Sequence, residues 1–182
     1  MNSMNFEKFD SWPSNPSLKK GLIGSLIALL IIYPIMSVFF MQSGYEMNVM
    51  QSQLSFNGSI LKSSYAIMVL YGTIDSYRIA QILDYGFMIT YAVLVFCLAF
   101  NQARKLPPSL MKKAGYILGF GGILAAIFDA IENAFILLTL TDPLRFPDWW
   151  AVAHSAFALP KWILLWTAII WYVAAIIMEK KQ

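Results

Sequence analysis

Three carboxylates, a lysine and a histidine sit inside apolar stretches of this chain, where ionisable side chains are costly and face either a protein interior or a water-filled cavity. Asp84 lies in one stretch, Asp129, Glu132 and Asn133 in the next, and His154 and Lys161 in the last. Asp129 is three residues from Glu132 and four from Asn133, so on a helix all three share one side. The same side carries Gly115, Gly119, Gly122 and Ala126, a stripe of small residues leading into the acids. Such a stripe predicts close approach of another helix, within the chain or from a second copy through Gly115, Gly119 and Gly122. The last stretch gives a matching row of His154, Ala158, Lys161, Leu165 and Ala168; the first gives Tyr77, Gln81, Asp84, Met88 and Tyr91. The candidate polar cluster is therefore Asp84, Asp129, Glu132, Asn133, His154, Lys161, Tyr77 and Tyr91.

This set carries an excess of acid. With His154 neutral, Asp84, Asp129 and Glu132 against Lys161 sum to three negative charges and one positive. Like charges in a low dielectric resist ionising together, so protonation, a bound cation or a cationic headgroup must relieve the excess. The leading expectation is a polar pocket that binds or translocates a lipid or small molecule. The alternative is a buried ion-pair network that only fixes helix packing, which contributes specificity more than stability. The third is an intramembrane lipid hydrolase using a carboxyl of raised pKa, with His154 sharing the proton transfer.

Several chemistries are excluded within one subunit. A single histidine rules out a histidine-rich zinc site and a two-histidine haem site. Cys97, alone in an apolar run, forms neither an intrachain disulfide nor a CxxC motif and reads as a small buried hydrophobe. No GxSxG, P-loop or HExxH occurs. Retinal on Lys161 would find a carboxylate counter-ion but no other supporting pattern. Carboxylates are the donor type for Mg²⁺, Ca²⁺ or Mn²⁺; even so, neither a metal nor a cofactor is expected, and no nucleic-acid partner.

The elements that must hold these residues follow from hydropathy. Of 182 residues, 59% are hydrophobic and 13% charged, against about 25% charged in a soluble domain. Four runs, residues 21–41, 80–103, 114–140 and 151–178, approach or exceed the roughly 20 residues needed to span a bilayer. The fold expected is an all-α integral membrane protein: a four-transmembrane-helix bundle forming one membrane domain over 18–182, after a polar tail at 1–17. Pro107-Pro108 and Asp142-Pro143 break the chain between spans, and Trp149 and Trp150 anchor the start of the fourth. Pro160 is expected to kink that helix beside Lys161.

Basic residues set the orientation. Lys19 and Lys20, then Arg104, Lys105, Lys112 and Lys113, then Lys180 and Lys181 all flank the same side. The other connections are mixed, with Glu46, Lys62, Asp75 and Arg78 in one and Asp142, Arg145 and Asp148 in the other. Positive-inside bias puts both termini in the cytoplasm, with a bacterial cytoplasmic membrane as the expected location. The connection 42–79 is then external. Its segment 60–71 reads as an amphipathic helix on the surface, with a re-entrant segment as the other possibility, and 51–56 as a short extended stretch.

At about 1.5 Å per residue from the cytoplasmic anchors, Asp129 lies about 24 Å up, Lys161 about 27 Å, Glu132 about 28 Å and Asp84 about 30 Å. These heights place the cluster in the outer third of the bilayer. His154 falls higher still, near the outer interface and the tryptophans, and reads first as an interface residue.

Overall fold

A computed structural model describes residues 6–45 and 47–180; Glu46, Lys181 and residues 1–5 of the tail lie outside the described residues. The elements are a 3-10 turn at Phe6–Asp10 and six helices: α1 Asn15–Ser43, α2 Val49–Gln53, α3 Gly58–Leu70, α4 Ile74–Arg104, α5 Leu110–Thr139 and α6 Asp148–Glu179. Among the described residues all regular structure is helical, and α1, α4, α5 and α6 are long and apolar enough to cross a membrane.

The long helices outrun the apolar runs that announce them, because polar residues continue the helix past the hydrophobic stretch. The 31 residues of α4 measure about 46 Å, against a hydrocarbon core of about 30 Å. Side-chain caps fix several boundaries. Ser14 accepts from Ser17 N at the start of α1, with Pro16 in the first turn, and Ser109 accepts from Lys112 N at the start of α5. Gly44 ends α1 at φ +67°, a left-handed conformation that a side chain disfavours.

The connection between α1 and α4 differs from expectation in one part. Residues 51–56 are not extended: Asn48 caps Met50 N, and a helical turn runs through Val49–Gln53. The 60–71 segment is helical as read, beginning at Gly58 under an Asn57 cap. α3 buries Leu61, Tyr65 and Met68 and leaves Ile67, Leu70 and Tyr71 exposed.

The packing is a row. α1 lies on α4, α4 on α5 and α5 on α6, while α4 and α6 touch less and α1 has no comparable contact with α5 or α6. Three helices surround the polar interior and α1 lies outside it. The physical reason is composition: α1 offers no charged group past Lys20, so nothing draws it to the charges. It exposes Ile27, Leu30 and Ile31 instead.

The glycine stripe is used inside the chain. A Cβ on Gly119 would stand 2.7 Å from the Phe100 ring, and one on Gly122 2.6 Å from Val95. One on Gly115 would collide with Trp171 and with Ala103. The close approach these residues permit is taken up by α4 and by Trp171 of α6.

The two ends are closed differently. At the end holding both described termini, Arg104 donates to Phe9 O at 3.0 Å and to Pro13 O at 2.6 Å, and Lys112 pairs with Asp10 at 2.7 Å. Burial alone would raise the Asp10 carboxyl, but Lys112 and Tyr116 outweigh it and hold the group below the usual aspartate range. Gln102 and Lys105 reach Glu179, tying α4 to the end of α6. At the other end Tyr45, Tyr65, Tyr77 and Phe146 pack together under α3, the Tyr45 and Tyr77 rings 4.7 Å apart. Arg78, paired with Asp75, donates to Leu140 O at 2.9 Å and satisfies a carbonyl at the end of α5.

Gly119→Val is expected to lower stability by about 1–3 kcal/mol, the usual cost of overpacking a tight contact. Gly24→Ala, with open space around its Cβ, is expected to change it by no more than about 1 kcal/mol, in the stabilising direction. Thermal unfolding of both variants in one detergent distinguishes them, and equal melting temperatures would refute the packing assignment.

Candidate functional site

Lys161 organises the interior where α4, α5 and α6 meet. Pro160 precedes it inside α6, and the small Ser155 and Ala158 stand on the preceding turns. Its ammonium lies 2.9 Å from Asp129 Oδ1, 2.5 Å from Glu132 Oε2 and 3.1 Å from Gln53 Oε1. Two of its three N–H donors go to Asp129 and Gln53, and Glu132 faces it as an ion pair. Glu132 is 0% exposed, Lys161 3% and Asp129 5%.

The remaining partners come from each neighbouring helix. Tyr91 of α4 donates to Asp129 Oδ2 at 2.9 Å. His154 Nε2 lies 3.4 Å from Glu132 Oε1. Asn133 Nδ2 donates to Asp84 Oδ2 at 2.8 Å and reaches the Gln81 carbonyl at 3.3 Å. Charge is thus unevenly matched. Asp129 and Glu132 share Lys161, whereas among the described residues no ion pair reaches Asp84. Asp84 is half-buried, unlike its sealed neighbours.

Of the predicted cluster, Asp84, Asp129, Glu132, Asn133, Lys161 and Tyr91 are brought together as the helical spacing implies. Two assignments change. His154 is no interface residue: it is 1% exposed and faces Glu132, because α5 and the α2–α3 segment cover that turn of α6. Tyr77 does not join the acids; it stands almost two turns before Asp84 and belongs to the aromatic plug with Tyr45 and Tyr65. One participant was missed. Gln53, on the short α2, accepts from Lys161 and, at 2.8 Å, from Trp162 Nε1. Nearby, Phe56 N donates to Ser155 Oγ at 3.0 Å. Nothing in a polar stretch reading QSQLSF marks that amide out, since only the return of the chain over α6 brings it near.

The acids and Lys161 therefore close directly on one another and do not line an open chamber. The space beside them is apolar. A groove of about 480 Å³ runs between α4 and α5, lined by Tyr85, Met88, Ala92, Phe96, Ile123 and Ala130 among others. A smaller cleft of about 110 Å³ lies between α4 and α6 near Val95 and Trp171. Tyr85 donates to Ala130 O at 3.2 Å at the head of the larger groove, one residue from Asp84. Buried polar atoms at this level without a hydrogen-bond partner include Gln81 Oε1, Asn133 Oδ1, both ring nitrogens of His154 and both oxygens of Glu132, which face Lys161 and His154 as ion-pair contacts. No group of three or more acidic, histidine or cysteine residues forms a metal site among the described residues.

Removing Lys161 alone strands two buried carboxylates. Lys161→Met is expected to cost about 3–5 kcal/mol, and Asp129→Asn added to it to restore part of that loss. Thermal unfolding of the single and double variants tests this, and equal losses would show that Asp129 and Lys161 are not energetically coupled. No known protein family, curated protein or solved structure matches this chain.

Proposed function

We propose that this chain is a multi-pass protein of the bacterial cytoplasmic membrane that binds an amphiphile, a lipid or an apolar small molecule, between α4 and α5. The observation that carries the reading is Asp84: half-buried and reached by no ion pair among the described residues, it precedes Tyr85 and stands one helical turn from Met88, both of which line an apolar groove of about 480 Å³. A groove open toward lipid accepts a chain or ring system, and a charged group at its end orients a polar head. An intramembrane carboxylate without an ion-pair partner is a functional-site indicator on its own terms.

The orientation proposed has both termini in the cytoplasm. Lys19, Lys20, Arg104, Lys105, Lys112, Lys113 and Lys180 gather at one end, which supports a cytoplasmic assignment for it. The α2–α3 segment then lies over the outer end, and the exposed Ile67, Leu70 and Tyr71 suit a helix at the bilayer interface. Translocation would require that segment to move, since Gln53 ties it to Lys161.

A purely structural role is the second reading, favoured by the direct closure of Lys161 on Asp129 and Glu132. The hydrolase reading has no geometric support: His154 and Glu132 are sealed, and neither lines the apolar clefts.

Two measurements test these proposals. In a Cys97→Ala background, Lys62→Cys is expected to react with an impermeant maleimide on intact cells and Lys105→Cys only after lysis; the reverse pattern would invert the topology. Native mass spectrometry of purified protein is expected to show a co-purifying amphiphile that Ala126→Leu, which narrows the groove, displaces. Its absence across several detergents would leave the structural reading in its place.

A further inference from the structure

We infer that the amphiphile taken by the α4–α5 groove is cationic, a protonated amine carried on an apolar body, with Asp84 as its counter-ion. The inference rests on the binding reading above and adds the chemistry of the head. It stands on three observations that are independent of one another.

The first is charge. Lys161 is occupied by Asp129 and Glu132, and His154 faces Glu132, so among the described residues no ion pair reaches Asp84. An anionic head placed against Asp84 would bring a second negative group to a carboxylate without an ion pair, which the low dielectric penalises. A single positive charge removes the imbalance.

The second is the sense of the unmet hydrogen bonds. Gln81 is 4% exposed and Asn133 0%, and both amide oxygens lack a donor. The Asn133 amide holds Asp84 through its nitrogen, which leaves its oxygen one amide width from the carboxylate. Asp84 itself, an acceptor of about four lone-pair sites, receives one such bond. The unsatisfied atom beside Asp84, Asn133 Oδ1, is thus an acceptor. An ammonium brings up to three N–H donors to that point; a hydroxyl brings one and no charge.

The third is shape. The groove is lined by apolar side chains from Tyr85 to Phe96 on α4 and from Ile123 to Ala130 on α5. From Tyr85 to Phe96, twelve residues and eleven rises along α4, the distance is about 16 Å, the reach of an alkyl chain of roughly a dozen carbons. A bare alkali cation would answer the charge and leave this length of groove without an occupant. An amine with an apolar tail answers both.

The test uses the full chain in phosphatidylcholine nanodiscs with two photoprobes, dodecylamine and dodecanol each bearing a diazirine on the chain, and peptide mass spectrometry to locate the label. The amine probe is expected to label residues 85–96 and 123–130 saturably, and competing dodecylamine to displace it at least about tenfold better than dodecanol does. Asp84→Asn is expected to reduce amine labelling by about tenfold or more and to leave the alcohol probe unchanged. Ala126→Leu, with the charge intact, is expected to reduce it as well. Equal saturable labelling by amine and alcohol in the unaltered chain would overturn the cationic assignment while the groove stood as a binding site. Absence of saturable labelling by either probe would overturn both. The comparison of probes needs no variant, so it decides even where Asp84→Asn fails to fold.

Discussion

A lysine ammonium buried to 3% exposure cannot exist in this interior without compensation, and the half of the molecule away from its described termini is arranged around supplying it. Desolvating one such ion costs several kcal/mol even after relaxation, and only close, well-directed acceptors repay it. Asp129 and Glu132 come from α5, and Gln53 from the segment that crosses the end of the bundle. One side chain of α6 thereby fixes the rotation of α5, the depth of α6 and the position of α2. Tyr91 extends the same constraint to α4 through Asp129. Interhelical polar contacts of this kind orient helices that lipid would otherwise leave free to rotate, since the hydrophobic effect does not discriminate between apolar faces inside a bilayer.

The basic half is held by a different force. There the contact of α4 with α5 depends on Gly115, Gly119 and Gly122 meeting Ala103, Phe100 and Val95, a steric fit with little electrostatic content. The backbones come close along the glycines and part enough near Met88 and Ala126 for the apolar groove to open. Charge, groove and tight packing are consequently segregated along one helix pair. Asp84 stands one helical turn from Met88 of the groove and is held by Asn133 beside the charged group.

Helix number and approximate span were legible in the sequence because apolar runs of sufficient length have few alternatives. The pairing of Asp129 with Lys161 was legible too, since the spacing of residues 129, 132 and 133 and of 154 and 161 puts each set on one face. The errors have physical sources. His154 was read by its height, but height says nothing about what covers a helix face, and the returning α2–α3 segment covers it. Tyr77 was assigned to the acids by helical phase, yet it sits almost two turns away, where rings from α3 and the α1–α3 connection claim it. Gln53 carried no signal, because a polar residue in a polar connection is indistinguishable from its neighbours until the chain's path is known. The peripheral place of α1 is the counterpart: a helix without charged groups in its apolar run gives no sequence-level indication of which neighbour it prefers.

That peripheral place bears on how the molecule enters its membrane. α1 is apolar on every side past Lys20 and pays little to stand alone in lipid. α5 alone would carry Asp129 and Glu132 into hydrocarbon, and α6 alone Lys161, at a penalty of about 2.5–3.5 kcal/mol for a central Asp or Lys. Joined by a connection of only eight residues, 140–147, the two reach lipid more easily as a hairpin with their charges already matched. Insertion of the first helix and insertion of the last two are therefore governed by different physics, the one by hydropathy alone and the other by the meeting of opposite charges before either helix is released.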